Sequence, residues 1–68
     1  MFSVGNRVEW VEDGRLKVGE ITGVFSDGRH RLPDRGREWR ATMDSPIYLI
    51  ETETGSRRLV PHAWVARI

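Results

Sequence analysis

The chain has 68 residues, enough for one small domain, and it contains no cysteine. At this length folding buries only about 60% of the surface of the extended chain, so the core is thin. The lack of cysteine excludes disulfide bonds and thiolate metal sites, and with two histidines we expect no metal and no cofactor. Eleven basic and ten acidic residues leave a net charge of +1, which argues against a dedicated nucleic-acid binder.

The first third of the chain has the alternation of polar and apolar residues that is typical of β-strands. Residues 7–11 form the first predicted strand, and residues 12–14 form a loop. Residues 18–25 form the second predicted strand, which contains Gly19 and Gly23. Glycine inside a strand indicates a bulge or a sharp coil, which a small barrel needs in order to close.

Two turn signals, at residues 26–28 and 32–36, delimit the next predicted element. Between and after them, residues 29–32 and 38–41 are predicted to form a short hairpin. Its register is weakly specified because few of its residues are apolar.

The last third of the chain is predicted to contain three strands and one helical turn. The strands cover residues 47–52, 57–60 and 65–68, and the helical turn covers residues 61–64. Proline at the start of this turn is favourable because its missing N–H would have no partner there. We therefore predict one all-β domain over residues 1–68, a small SH3-like barrel of about five strands with one short helical turn before the last strand.

Five aromatic residues are candidates for the core or for a binding surface. We expect Trp10, Phe25, Tyr48 and Trp64 in the core, because large aromatic side chains dominate the burial that a small domain needs. Trp39 has charged neighbours in the sequence, so we expect it to be exposed and functional. The alternative is that the aromatic residues form a cage for a methylated lysine or arginine.

Residues 29–40, here called the arginine arm, contain five arginines and only two acidic residues, Asp34 and Glu38. Guanidinium groups suit carboxylate and phosphate, and an aromatic side chain among them can stack on a base. The alternative is an ordinary solvated face whose arginine stems cover the aromatic ring. The candidate ligand-binding residues are Arg29, Arg31, Arg35, Arg37, Trp39 and Arg40.

Residues 36–51 resemble the tudor domain of the hypervirulence-associated family of bacteria and fungi. The shared features are Gly36, the Pro46-x-Tyr48 sequence before an apolar strand, the Thr54-Gly55 turn and a late histidine, His62. The opening residues 4–10 are also similar, although Asn6 stands where that family usually has aspartate, and Thr42 stands where serine is common. The resemblance implies an SH3-like barrel of the tudor type, in a family without agreed catalytic residues or ligand.

The chain also resembles type II dihydrofolate reductase, a short SH3-like barrel that forms a tetramer around one pore. The similar segments are residues 5–8, 19–21, 48–51 and 61–68. That family lines its pore with a Val-Gln-Ile-Tyr segment, and this chain has Arg-Arg-Leu-Val at residues 57–60. Because the glutamine and tyrosine are missing, we do not expect reductase activity.

The sequence contains no local catalytic motif such as a Ser-His-Asp spacing, an HExxH sequence or a phosphate-binding glycine loop. His62 is interpreted as a hydrogen-bonded structural residue. We therefore predict a non-catalytic binding module that recognises an anionic partner, either an acidic peptide or nucleic-acid phosphate, through the arginine arm and Trp39. The alternatives are an oligomeric enzyme of the reductase type and a self-assembly module, such as a homodimer that pairs exposed strand edges.

The sequence has no apolar run of the length that a membrane span requires and no signal peptide at its start. We therefore expect no membrane partner and a cytoplasmic location.

Overall fold

The structure is a computed structural model that describes residues 1–33 and 37–68. Its elements are β1 (Arg7–Glu12), β2 (Arg15–Phe25), β3 (Arg29–His30), β4 (Trp39–Arg40), β5 (Ile47–Thr52), β6 (Arg57–Pro61), a 3-10 helix (His62–Trp64) and β7 (Ala66–Arg67). The all-β prediction is confirmed, as is the helical turn before the last strand. The candidate Arg35 and part of the turn predicted at residues 32–36 lie outside the described residues.

Five of the strands form one antiparallel sheet, in the order β6-β5-β2-β1-β7. The strands β3 and β4 form a separate two-stranded sheet, which is the hairpin predicted within the arginine arm. Among the described residues no ladder joins β6 to β7, so these two strands are the edges of the larger sheet. The arginine arm is therefore an insertion between two central strands, β2 and β5.

The core lies on one side of the sheet, where alternate residues of neighbouring strands converge. Its buried cluster consists of Val8, Trp10, Ile21, Tyr48, Ile50 and Val60. Val8 and Trp10 share a face of β1 because strand side chains alternate. The prediction that Trp10 and Tyr48 belong to the core is confirmed, since they are 2% and 0% exposed.

The long strand β2 pairs with β1 along its first half and with β5 along its second half. Its pairing with β5 shifts register between Ile21 and Gly23, which agrees with the bulge predicted from the two glycines. A Cβ atom at Gly19 would lie 2.6 Å from Cγ2 of Ile50 and 2.7 Å from the carbonyl oxygen of Glu51. Only glycine therefore allows β2 and β5 to approach so closely at this point.

A hydrogen-bonded cluster connects the chain start, β5 and the 3-10 helix. The Phe2 N–H donates to the Tyr48 hydroxyl at 3.1 Å, and this hydroxyl lies 2.7 Å from Nδ1 of His62. Because the Phe2 N–H is the donor in the first contact, the Tyr48 hydroxyl keeps its own hydrogen, which it can donate to Nδ1 of His62. The structural role predicted for His62 agrees with this position. No helix in the described part of the chain has the length and apolarity to cross a membrane.

Candidate binding groove

A groove of about 300 Å³ lies beside the edge strand β6. We call it the tryptophan groove. Its lining residues are Val11, Glu12, Asp13, Leu32, Arg37, Trp39, Arg58, Leu59, Val60 and Trp64. These residues come from the end of β1, the arginine arm, β6 and the 3-10 helix, which are distant in sequence. The groove is therefore a product of the tertiary fold and not of one local motif.

Two tryptophans from different elements meet in this groove. The ring centroids of Trp39 and Trp64 are 5.1 Å apart and their planes cross at 86°, which is the edge-to-face arrangement that aromatic pairs favour. The prediction that Trp39 is exposed is wrong, because the Trp64 ring covers part of it and leaves it half-buried. The prediction that Trp64 lies in the core is also wrong: it is 46% exposed and ends a 3-10 helix that follows the edge strand β6 and has no buried residue.

Arg37 lies on the tryptophan pair. The central carbon of its guanidinium is 3.9 Å from the centroid of Trp39 and 5.7 Å from that of Trp64. A planar guanidinium over an indole face is a favourable cation–π contact, and it keeps the N–H donors at the rim of the ring available. Arg37 thus connects the positive charge of the arm to the aromatic surface of the groove.

The other described arginines of the arm lie outside the groove, and all of them are exposed. Arg29 and Arg40 are directly opposite each other in the β3–β4 ladder. Glu38 is the one acidic residue in the described part of the arm, and it approaches Nη1 of Arg29 to only 3.9 Å. Four arginines, including Arg31 and Arg37, against one glutamate leave the described arm with a net charge of +3.

The arm is attached to the sheet at its base. His30 stacks on Phe25, with ring centroids 4.1 Å apart and an interplanar angle of 20°. Nε2 of His30 also lies 2.7 Å from the carbonyl oxygen of Asp27, and the Ala41 N–H donates to the Gly28 carbonyl at 2.8 Å. Phe25, which was expected in the core, is half-buried because it lies at the end of β2, where it supports the arm.

The groove lining from β1 and β6 contains an ion pair that sequence reasoning missed. Oε2 of Glu12 lies 3.3 Å from Nε of Arg58, and Oε1 of Glu12 accepts a 3.1 Å hydrogen bond from the Trp10 indole N–H. The contact of Glu12 with Trp10 was predictable from the sequence, because residues 8, 10 and 12 of one strand lie on the same face. Nothing local in the sequence connects Glu12 to Arg58, since that contact depends on how the sheet curves.

Comparison with protein-family models, with curated proteins and with solved structures found no match. The resemblances to the tudor domain and to type II dihydrofolate reductase therefore stay predictions. Among the described residues, no three His, Asp or Glu side chains are close enough to hold a metal ion together.

Proposed function

We propose that this protein is a non-catalytic binding module that recognises an anionic partner through the arginine arm and the tryptophan groove. The observation that carries the proposal is the stacking of Arg37 on Trp39, at the junction between the charged arm and the groove. One ligand can therefore contact guanidinium groups and indole rings at the same time.

The charge distribution supports an anionic partner. The described arm has a net charge of +3, whereas the whole chain has a net charge of +1, so the positive charge is concentrated on this insertion. Across the groove, the carboxylate of Glu12 is already bound to Arg58 and Trp10. The arm arginines are exposed, and in the described part of the chain the only ion pair that any of them forms is the 3.9 Å contact of Arg29 with Glu38. Asp13, which is also exposed, lines the groove with Arg37.

The groove supports recognition of a flat or apolar group beside the anion. Trp64 is 46% exposed, which is a high exposure for tryptophan, the largest of the amino-acid side chains. A cavity of about 300 Å³ is at the lower end of the range for ligand pockets, so it suits one side chain or ring. Exposed aromatic side chains in a concave site are typical of binding surfaces.

We also propose that the fold is an SH3-like barrel of the tudor type, open between its edge strands. The strand order β6-β5-β2-β1-β7 and the 3-10 helix before β7 support this assignment. The ion pair between Glu12 and Arg58 draws β1 towards β6, as the curvature of a barrel requires. In this fold the arginine arm is an enlarged loop between the second and third barrel strands.

The test compares two charge-reversal variants of the full chain. The first is Arg37→Glu with Arg40→Glu, within the arm. The second is Arg15→Glu with Arg67→Glu, two exposed strand residues outside the arm and the groove, with the same change in net charge. Each is titrated by NMR with an acidic peptide and with a short mixed-sequence DNA duplex, at low and near-physiological salt.

We expect the arm variant to lose binding of its anionic ligand and the strand variant to keep most of it. The wild-type affinity should fall as salt rises, because the contact is electrostatic. Equal affinities of the arm variant and the wild-type protein would contradict the proposal.

A further inference from the structure

The hydrogen-bond pattern of β6 determines which of its backbone groups face away from the sheet. The ladder of β5 and β6 is bounded by a bond from the Thr52 N–H to the Ser56 carbonyl and one from the His62 N–H to the Pro46 carbonyl. In an antiparallel ladder every second residue exchanges hydrogen bonds with the partner strand. With the observed register, the N–H and C=O groups of Leu59 therefore face outward.

The outward side of β6 is only partly occupied. Nη1 of Arg58 donates to the Arg57 carbonyl at 2.8 Å, and Pro61 has no N–H to offer. No described residue forms a hydrogen bond with the outward N–H or C=O of Leu59. Leu59 also lines the tryptophan groove, together with Trp39 and Trp64. Within the described part of the chain, an unpaired donor and acceptor thus lie side by side on an edge strand, which is the arrangement that accepts an added strand.

We propose that β6 accepts an extended acidic peptide as an added strand, whose backbone pairs with Leu59 and whose apolar side chain lies against Trp39 and Trp64. The acidic side chains of this peptide contact the arginine arm. This inference rests on the proposed function and specifies its partner and its mode of binding.

Charge favours an acidic peptide over a second copy of the chain. Arg57 and Arg58 are adjacent on β6, so two copies paired through this edge would bring like charges together. An acidic strand instead places carboxylates near the exposed Arg57 of β6 and the exposed arginines of the arm. A nucleic acid would satisfy the guanidinium groups, but its phosphates have no N–H to pair with the Leu59 carbonyl.

The probe is an acetylated and amidated nine-residue peptide, with one central tyrosine flanked on each side by a valine and three acidic residues. A series of this peptide carries one N-methyl group at successive backbone positions, which removes one N–H while the charges and side chains stay the same. If the peptide binds as a strand, N-methylation reduces affinity about tenfold at the residue whose N–H pairs with the Leu59 carbonyl and changes it little at the residues on either side, so strong and weak effects alternate there. In parallel, hydrogen exchange of the Leu59 amide slows when the unmodified peptide binds.

A series without this alternation, together with unchanged exchange at Leu59, overturns the inference. If such a peptide still binds and loses affinity in the Arg37→Glu, Arg40→Glu variant, the proposed function stands without strand addition. If the DNA duplex binds and the peptide does not, the inference is overturned and the anionic partner is a nucleic acid. If neither ligand binds, both proposals fail.

Discussion

Glu12 and Arg58 join two strands that are not neighbours in the sheet. Oε2 of Glu12 and Nε of Arg58 are 3.3 Å apart, and their side chains are 27% and 20% exposed. Because β5 and β2 separate β6 from β1 in the sheet order, this contact requires the sheet to curve. The pair therefore joins the parts of β1 and β6 that line the tryptophan groove.

Replacing Glu12 should destabilise the fold. Glu12→Ala removes the acceptor of the Trp10 indole N–H and leaves the partly buried Arg58 without its carboxylate, so we expect a loss of about 1–3 kcal/mol. The measurement is urea unfolding followed by tryptophan fluorescence. The control is Glu53→Ala, which removes the exposed ion pair with Arg7 and should cost less than about 1 kcal/mol. Equal losses in the two variants would contradict the role given to Glu12.

A methyl group at Gly19 should strain the crossing of β2 and β5. Gly19→Ala places a Cβ atom 2.7 Å from the Glu51 carbonyl oxygen, and backbone cannot move aside as a side chain can. We expect a loss of about 1–3 kcal/mol, of the size that overpacking causes. Gly23→Ala is the matched control, because its Cβ atom would lie 3.4 Å from Leu49, near ordinary contact distance. The measurement is the melting temperature of the two variants, which should be lower for Gly19→Ala. Similar melting temperatures would show that Gly19 is not constrained.

The Tyr48 hydroxyl should couple the chain start to the 3-10 helix. Tyr48→Phe removes both the acceptor of the Phe2 N–H and the contact with Nδ1 of His62, at a cost of about 1–2 kcal/mol. A double-mutant cycle with His62→Ala isolates the second contact, and we expect a coupling of about 0.5–1.5 kcal/mol. Additive losses in the cycle would show that the two side chains act independently.

The strands were predictable because their signals are local. The apolar, β-branched run at residues 47–52 is β5, and the proline before His62 marks the start of the 3-10 helix. The tryptophan groove was not predictable in this way. Trp39 lacks apolar neighbours in sequence but meets Trp64 in space, and that meeting depends on where the arm leaves β2 and where the chain turns after β6. For the same reason, the sequence indicated the arginine arm as a candidate surface but not the groove beside it.

Trp64 should contribute to binding more than to stability. Trp64→Ala removes a side chain that is 46% exposed, whereas Trp10→Ala empties a core position. The free energy of unfolding should therefore fall less in Trp64→Ala than in Trp10→Ala. The affinity for the acidic peptide should fall at least about tenfold, as expected when an aromatic anchor is lost. Unfolding and calorimetric titration of the two variants compare these effects. Unchanged affinity in Trp64→Ala would remove the groove from the binding surface.

The free protein should be a monomer in solution. Arg57 and Arg58 on the edge strand β6 disfavour pairing of two copies through that edge. Sedimentation equilibrium at low and near-physiological salt measures the mass directly. A stable tetramer would contradict this prediction and favour the reductase interpretation. An assay for nicotinamide-dependent dihydrofolate reduction would then test that interpretation.

The most direct test of the central claim is an NMR titration of the wild-type protein with the acidic nine-residue peptide. We predict that the indole N–H resonances of Trp39 and Trp64 and the backbone amide of Leu59 shift together with one affinity. Thr22 and Glu51, which lie outside the groove, should stay unchanged. Shifts at Thr22 and Glu51 without shifts at Trp39 and Trp64, or no shifts at all, would contradict the account.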